Sequence, residues 1–77
     1  MSKTATEEEE ARAQLKQALV RGDIETAQKV LLQNPDVVPA QQRAQLMFVL
    51  EQAQVERYSF GLTRYRNELQ ALAQKVG

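Results

Sequence analysis

The sequence predicts an all-α protein: two short helices followed by one long C-terminal helix, arranged as a helical hairpin or small bundle. Three observations carry this expectation. Apolar residues recur at spacings of three and four along most of the chain. The two prolines stand close together, at positions 35 and 39. Beyond Pro39, only Gly61 interrupts helical composition as far as Val76. A chain of 77 residues has room for one small core, so residues 1–5 read as a polar tail and 6–77 as a single helical domain.

The first helix is expected over about residues 7–21. Thr6 followed by Glu9 has the spacing of a capping box, and the four glutamates at 7–10 place negative charge at the positive end of the helix dipole. Adjacent residues fan out around a helix axis, so these carboxylates do not converge on a cation. Ala11, Leu15, Ala18 and Leu19 form the apolar face. Gly22 is suited to the left-handed position that ends a helix, and Asp23 directly after it to capping the next one.

A second helix over 24–33 carries Ile24, Ala27, Val30 and Leu31 on one side. It stops because Pro35 disfavours helical geometry at Asn34. Residues 34–39, NPDVVP, read as a reversing connector, with Pro39 placed to open a third helix over 40–76. At 1.5 Å per residue that helix is about 55 Å long, against about 22 and 15 Å for the first two. The short arm covers the long one only if its two helices lie end to end.

Along the long helix, Phe48, Val55, Tyr58, Leu62, Tyr65, Leu69, Leu72 and Val76 follow heptad spacing. Leu46, Val49, Leu50, Ala53 and Phe60 occupy another side, so this region is apolar around much of its circumference and calls for two neighbours. The chain's own short helices supply one. A second copy or a different protein supplies the other, which marks Phe48, Val55, Tyr58, Leu62, Tyr65, Leu69 and Leu72 as the expected partner interface. The competing arrangement breaks the helix at Gly61 and folds it back into a closed bundle.

Composition excludes several classes of function. The chain has no His and no Cys, so thiolate chemistry, disulfides and the usual metal ligands and proton shuttles are missing. Its three glycines are isolated and form no phosphate loop. The expectation is a non-enzyme without cofactor or metal. Ten basic against ten acidic residues give no net charge, which argues against nucleic acid or anionic membrane as partner. The stretch RYSFGLTRYR at 57–66 does interleave arginines with aromatics. Its tyrosines nevertheless fall on the heptad stripe, and Tyr and Arg are residue types that anchor protein interfaces. The longest apolar run, 46–50, is far short of a membrane span, and the acidic start is unlike a secretory signal, so a cytoplasmic location is expected.

The connector NPDVVP followed by QQRAQLMFVLEQAQ resembles the helix, Asn-Pro loop, helix arrangement of needle and inner-rod subunits of bacterial type III secretion systems. LEQA at 50–53 and RYRN at 64–67 are more similar to the E component of those systems, the small co-chaperone that holds the needle subunit in the cytoplasm together with a tetratricopeptide chaperone. Needle and rod subunits end in an apolar assembling segment. Residues 67–77 here are amphipathic, with Glu68 and Lys75, which favours the co-chaperone. The resemblance implies no cofactor, a helical secretion subunit or tetratricopeptide chaperone as partner, and capture of an apolar helical surface. The alternative from another class is a homo-oligomeric coiled coil that sets Arg57, Arg64 and Arg66 of several copies against nucleic acid.

Overall fold

The computed structural model describes residues 5–60 and 63–76, and the side chains of 5–56 and 65–76. Four helices make up the described chain: α1 (Ala5–Arg21), α2 (Ile24–Gln33), α3 (Ala40–Phe60) and α4 (Thr63–Val76), with one turn of 3-10 helix at Pro35–Val37. No strand occurs among the described residues. Each helix packs on two neighbours in the cyclic order α1, α2, α3, α4 and back to α1, giving a closed four-helix bundle of 41 × 19 × 18 Å. Its radius of gyration of 12.1 Å is close to the roughly 11.5 Å expected for a compact domain of this length.

α1 and α2 form where the local signals place them. α1 begins at Ala5, one residue before Thr6, so Thr6 lies inside the first turn rather than capping it. The helix ends in a Schellman motif. Gly22 adopts φ 73°, its N–H reaches the Leu19 carbonyl at 3.2 Å, and the Asp23 N–H reaches the Ala18 carbonyl at 2.8 Å. Asp23 simultaneously caps α2. Its carboxylate accepts from the Thr26 N–H at 3.2 Å and from the Thr26 hydroxyl at 2.7 Å. One glycine and one aspartate thus turn the chain from one helix to the next.

The far end of α2 is closed by Asn34. Its backbone N–H (2.8 Å) and its side-chain Nδ2 (3.0 Å) both donate to the Val30 carbonyl. The connector after it is more than a reversal. Val37 and Val38 are buried in the core, and two arginines hold the backbone around them. Arg12 Nε of α1 donates to the Val37 carbonyl at 3.4 Å, and Arg43 Nη1 of α3 donates to the Pro35 carbonyl at 2.6 Å.

The single helix expected over 40–76 is not formed. α3 ends at Phe60, α4 starts at Thr63, and α4 lies against α1. Residues 61–62, and with them the expected role of Gly61, lie outside the described residues. Burial energetics account for the fold-back. A straight helix would leave Leu69, Leu72 and Val76 in water, whereas here they are 1%, 6% and 6% exposed. Burying three such side chains is worth about 5–9 kcal/mol, more than the few backbone hydrogen bonds, each about 1 kcal/mol net, that a continuous helix would add.

The core is wholly apolar among the described residues. α1 contributes Ala11, Leu15, Ala18 and Leu19, α2 contributes Ile24, Ala27, Val30 and Leu31, α3 contributes Leu46, Val49, Leu50 and Ala53, and α4 adds Ala73 to its three larger residues. No described side chain leaves a buried nitrogen or oxygen without a hydrogen-bond partner. No helix of the described residues is long and apolar enough to cross a membrane.

Candidate protein-binding face

The outer side of α3 carries apolar surface that the described part of the bundle leaves uncovered. Leu46, Leu50 and Ala53 point into the core, so residues about half a turn away must face outward. Phe48 and Val55 do so, at 63% and 68% exposed. Ala44, also exposed, falls on the same line, because positions 44, 48 and 55 are within about 40° of one another on a helix turning 100° per residue. Met47 widens the patch at 40% exposed. Gln45 flanks it as an exposed polar residue, and Glu51, exposed on the same side between Met47 and Val55, sets one carboxylate within it.

This face is held rigidly at its N-terminal end. Arg43 ties α3 to the connector through the Pro35 carbonyl, and Arg43's own N–H closes the first turn on the Pro39 carbonyl at 2.9 Å. Val37 and Val38 anchor that connector in the core. At the other end, the Tyr65 hydroxyl of α4 donates to the Glu56 carboxylate of α3.

The residues expected to form the partner interface divide into three groups. Phe48 and Val55 are exposed on α3. Leu69 and Leu72 are in the chain's own core and are not surface residues, while Tyr65 is half-buried against that core. The side chain of Tyr58 and all of Leu62 lie outside the described residues. The split has a simple cause: the heptad line crosses the joint between α3 and α4, and the fold-back turns its two halves toward different surroundings. Sequence reasoning missed Met47, Leu32 and Val20 as exposed apolar side chains and Val37 and Val38 as core residues. Leu32 had a usable signal, since it stands one residue beyond the Val30–Leu31 face of α2.

Of the arginines at 57, 64 and 66, only the side chain of Arg66 is described, and it is exposed. Between α1 and α2 lies an open cleft of about 410 Å³ whose lining includes Gln14, Gln17, Arg21, Asp23, Lys29 and Gln33. Asp23 is its carboxylate, and the Thr26 hydroxyl and amide hydrogen bonds, helped by the charge of Arg21, hold its carboxyl below the usual range. That carboxylate is committed to capping α2. No group of three or more acidic side chains that could hold a metal ion occurs among the described residues. What this arrangement offers chemically is apolar surface. No protein-family model, no curated protein and no solved structure matches the chain significantly.

Proposed function

We propose that the protein is a helical protein-binding module that presents the outer face of α3 to an apolar helix of a partner protein. The carrying observation is the pair Phe48 and Val55, two large apolar side chains seven residues apart on one side of α3 and about two-thirds exposed. A partner helix with an apolar stripe at matching spacing would bury both. Their burial is worth roughly 2–4 kcal/mol together, a factor of about 30 to 1,000 in affinity.

The narrower reading is a co-chaperone that covers a helical secretion subunit in the cytoplasm until release. It is supported by the resemblance of residues 34–67 to type III secretion components and by a face made for covering rather than for chemistry.

The test is purification of the tagged protein from its own cells, with Phe48→Asp/Val55→Asp beside the wild type and mass spectrometry of whatever co-purifies. Both side chains are exposed, so the double variant keeps the fold. A stoichiometric helical partner that is lost in the variant is the expected result, and a small secreted subunit or a tetratricopeptide chaperone would establish the narrower reading. A partner retained at equal yield by the variant removes the α3 face from the binding mechanism.

A further inference from the structure

We propose that the partner taken by the α3 face is a basic amphipathic helix, one whose stripe carries an arginine or lysine between two apolar residues seven apart. The cation meets Glu51 while the apolar pair covers Phe48 and Val55. The proposal rests on the partner reading above and adds the partner's chemistry to it.

The first observation is where Glu51 stands. At 100° per residue, positions 44, 48, 51 and 55 lie within about 60° of one another, and the side they share is turned away from that of Leu46, Leu50 and Ala53. Along the axis Glu51 falls about 4.5 Å beyond Phe48 and about 6 Å short of Val55. It is exposed, as are Ala44 and Met47 beside it. A helix that covers both large side chains therefore covers this carboxylate as well.

The second observation is that α3 brings no cation to it. The positions three and four residues away on either side are Met47, Phe48, Gln54 and Val55. Arg43, about two turns back, donates to the Pro35 carbonyl. Lys29, the one basic residue of α2, lines the cleft on the α1 side of that helix. Exposed on α3, Glu51 is solvated by water until a partner docks. A docked helix strips that water, and a carboxylate covered without a counter-charge loses its hydration for nothing in return. Rejection of helices that lack a cation at this point, more than attraction to those that have one, sets the preference.

The surroundings of Glu51 suit a guanidinium best. Phe48 stands three residues before it and is its neighbour on the helix surface. An arginine entering there stacks on an aromatic ring and donates to the carboxylate with the same planar group. A lysine meets the same carboxylate as a point charge.

The same carboxylate opposes a second copy as the occupant. Two α3 faces that set Phe48 of each copy against Val55 of the other would be related by a two-fold axis between residues 51 and 52. Both Glu51 carboxylates would then meet at the centre of the contact, where like charges disfavour association.

The experiment displays a phage library of amphipathic helices, about five turns or 18 residues long, with the stripe positions randomised. Selection is run on the full-length purified chain, on Glu51→Gln and on Phe48→Asp/Val55→Asp. All three side chains are exposed, so the variants keep the fold, which circular dichroism checks. The wild type should enrich two apolar residues seven apart with arginine or lysine between them, three or four positions from each. Glu51→Gln should keep the apolar pair and lose the basic position, and the double variant should enrich neither. In a peptide from the wild-type selection, replacing the basic residue with glutamine should weaken binding to wild type about 30-fold. The same replacement should weaken binding to Glu51→Gln less than about threefold.

Enrichment of the apolar pair without a basic position overturns the proposal and leaves the α3 docking reading standing. So does a peptide replacement that costs the same against wild type and Glu51→Gln. No enrichment on wild type, or enrichment that the double variant also gives, removes the α3 face as a binding surface, and both readings fall together. A wild-type dimer in sedimentation velocity that Phe48→Asp/Val55→Asp dissolves also overturns the proposal, because a second copy then holds the face.

Discussion

Tyr65 of α4 hydrogen-bonds through its hydroxyl to the carboxylate of Glu56 on α3, spanning the joint between the two helices. The aromatic ring of Tyr65 packs against the core while its polar tip reaches the neighbouring helix. The contact therefore links apolar burial of α4 to the orientation of α3, the helix that carries the candidate binding face.

Tyr65→Phe keeps the ring and removes the hydroxyl. The loss of one hydrogen bond to a charged, half-buried acceptor should destabilise the bundle by about 1–2 kcal/mol. Thermal denaturation followed by circular dichroism reads this as a Tm lowered by several degrees. An unchanged Tm would mean that the contact adds nothing to α4 docking.

Asp23→Ala removes the cap of α2 and should cost about 1 kcal/mol. The pH dependence has a definite sign. Hydrogen bonding from Thr26 holds the folded-state carboxyl below its ordinary value, which is about 3.9. The cap's contribution is therefore fully present above that ordinary value and is lost as pH falls through the lower folded-state value. The wild type should lose more stability than Asp23→Ala below about pH 4, and parallel acid-denaturation curves for the two would contradict this.

Core and surface leucines should separate sharply. Leu15 is 0% exposed, so Leu15→Ala should destabilise by about 2–5 kcal/mol. Leu32 is 70% exposed, and Leu32→Ala should stay within about 0.5 kcal/mol of wild type. Urea unfolding of the two variants measures the contrast, and similar midpoints would place Leu32 in an interface that the isolated bundle lacks.

Gly22→Ala puts a Cβ on a residue with φ 73°. The left-handed conformation should cost about 1–2 kcal/mol, lowering the urea midpoint with little change in slope. A neutral substitution would indicate that the turn relaxes without strain.

Much of this bundle is legible in local sequence. The faces of α1 and α2 follow from three-and-four spacing, and their boundaries from Gly22, Asp23 and Pro35, because these signals act within one turn of the chain. The end of α3 is not legible in that way. Gly61 weakens a helix by only about 1 kcal/mol, and what decides is whether Leu69, Leu72 and Val76 find a surface, which α1 supplies from more than 40 positions away. Val37 and Val38 escape periodicity because a six-residue connector has none to display. The candidate face was half legible for the same reason. Heptad spacing names Phe48, Val55, Leu69 and Leu72 alike, yet spacing cannot tell a residue that faces its own bundle from one that faces outward.

The junction of α1 and α2 has no slack. Asp23 donates to the end of one helix through its backbone and caps the start of the next through its side chain, so no residue there serves only as spacer. Adding one residue would rotate α2 by about 100° and swing Ile24, Ala27 and Val30 out of the core. Length variation at this corner is therefore forbidden to the fold. Loop grafts, epitope insertions and new chain ends that would be tolerated at an ordinary surface turn should fail between Arg21 and Ile24.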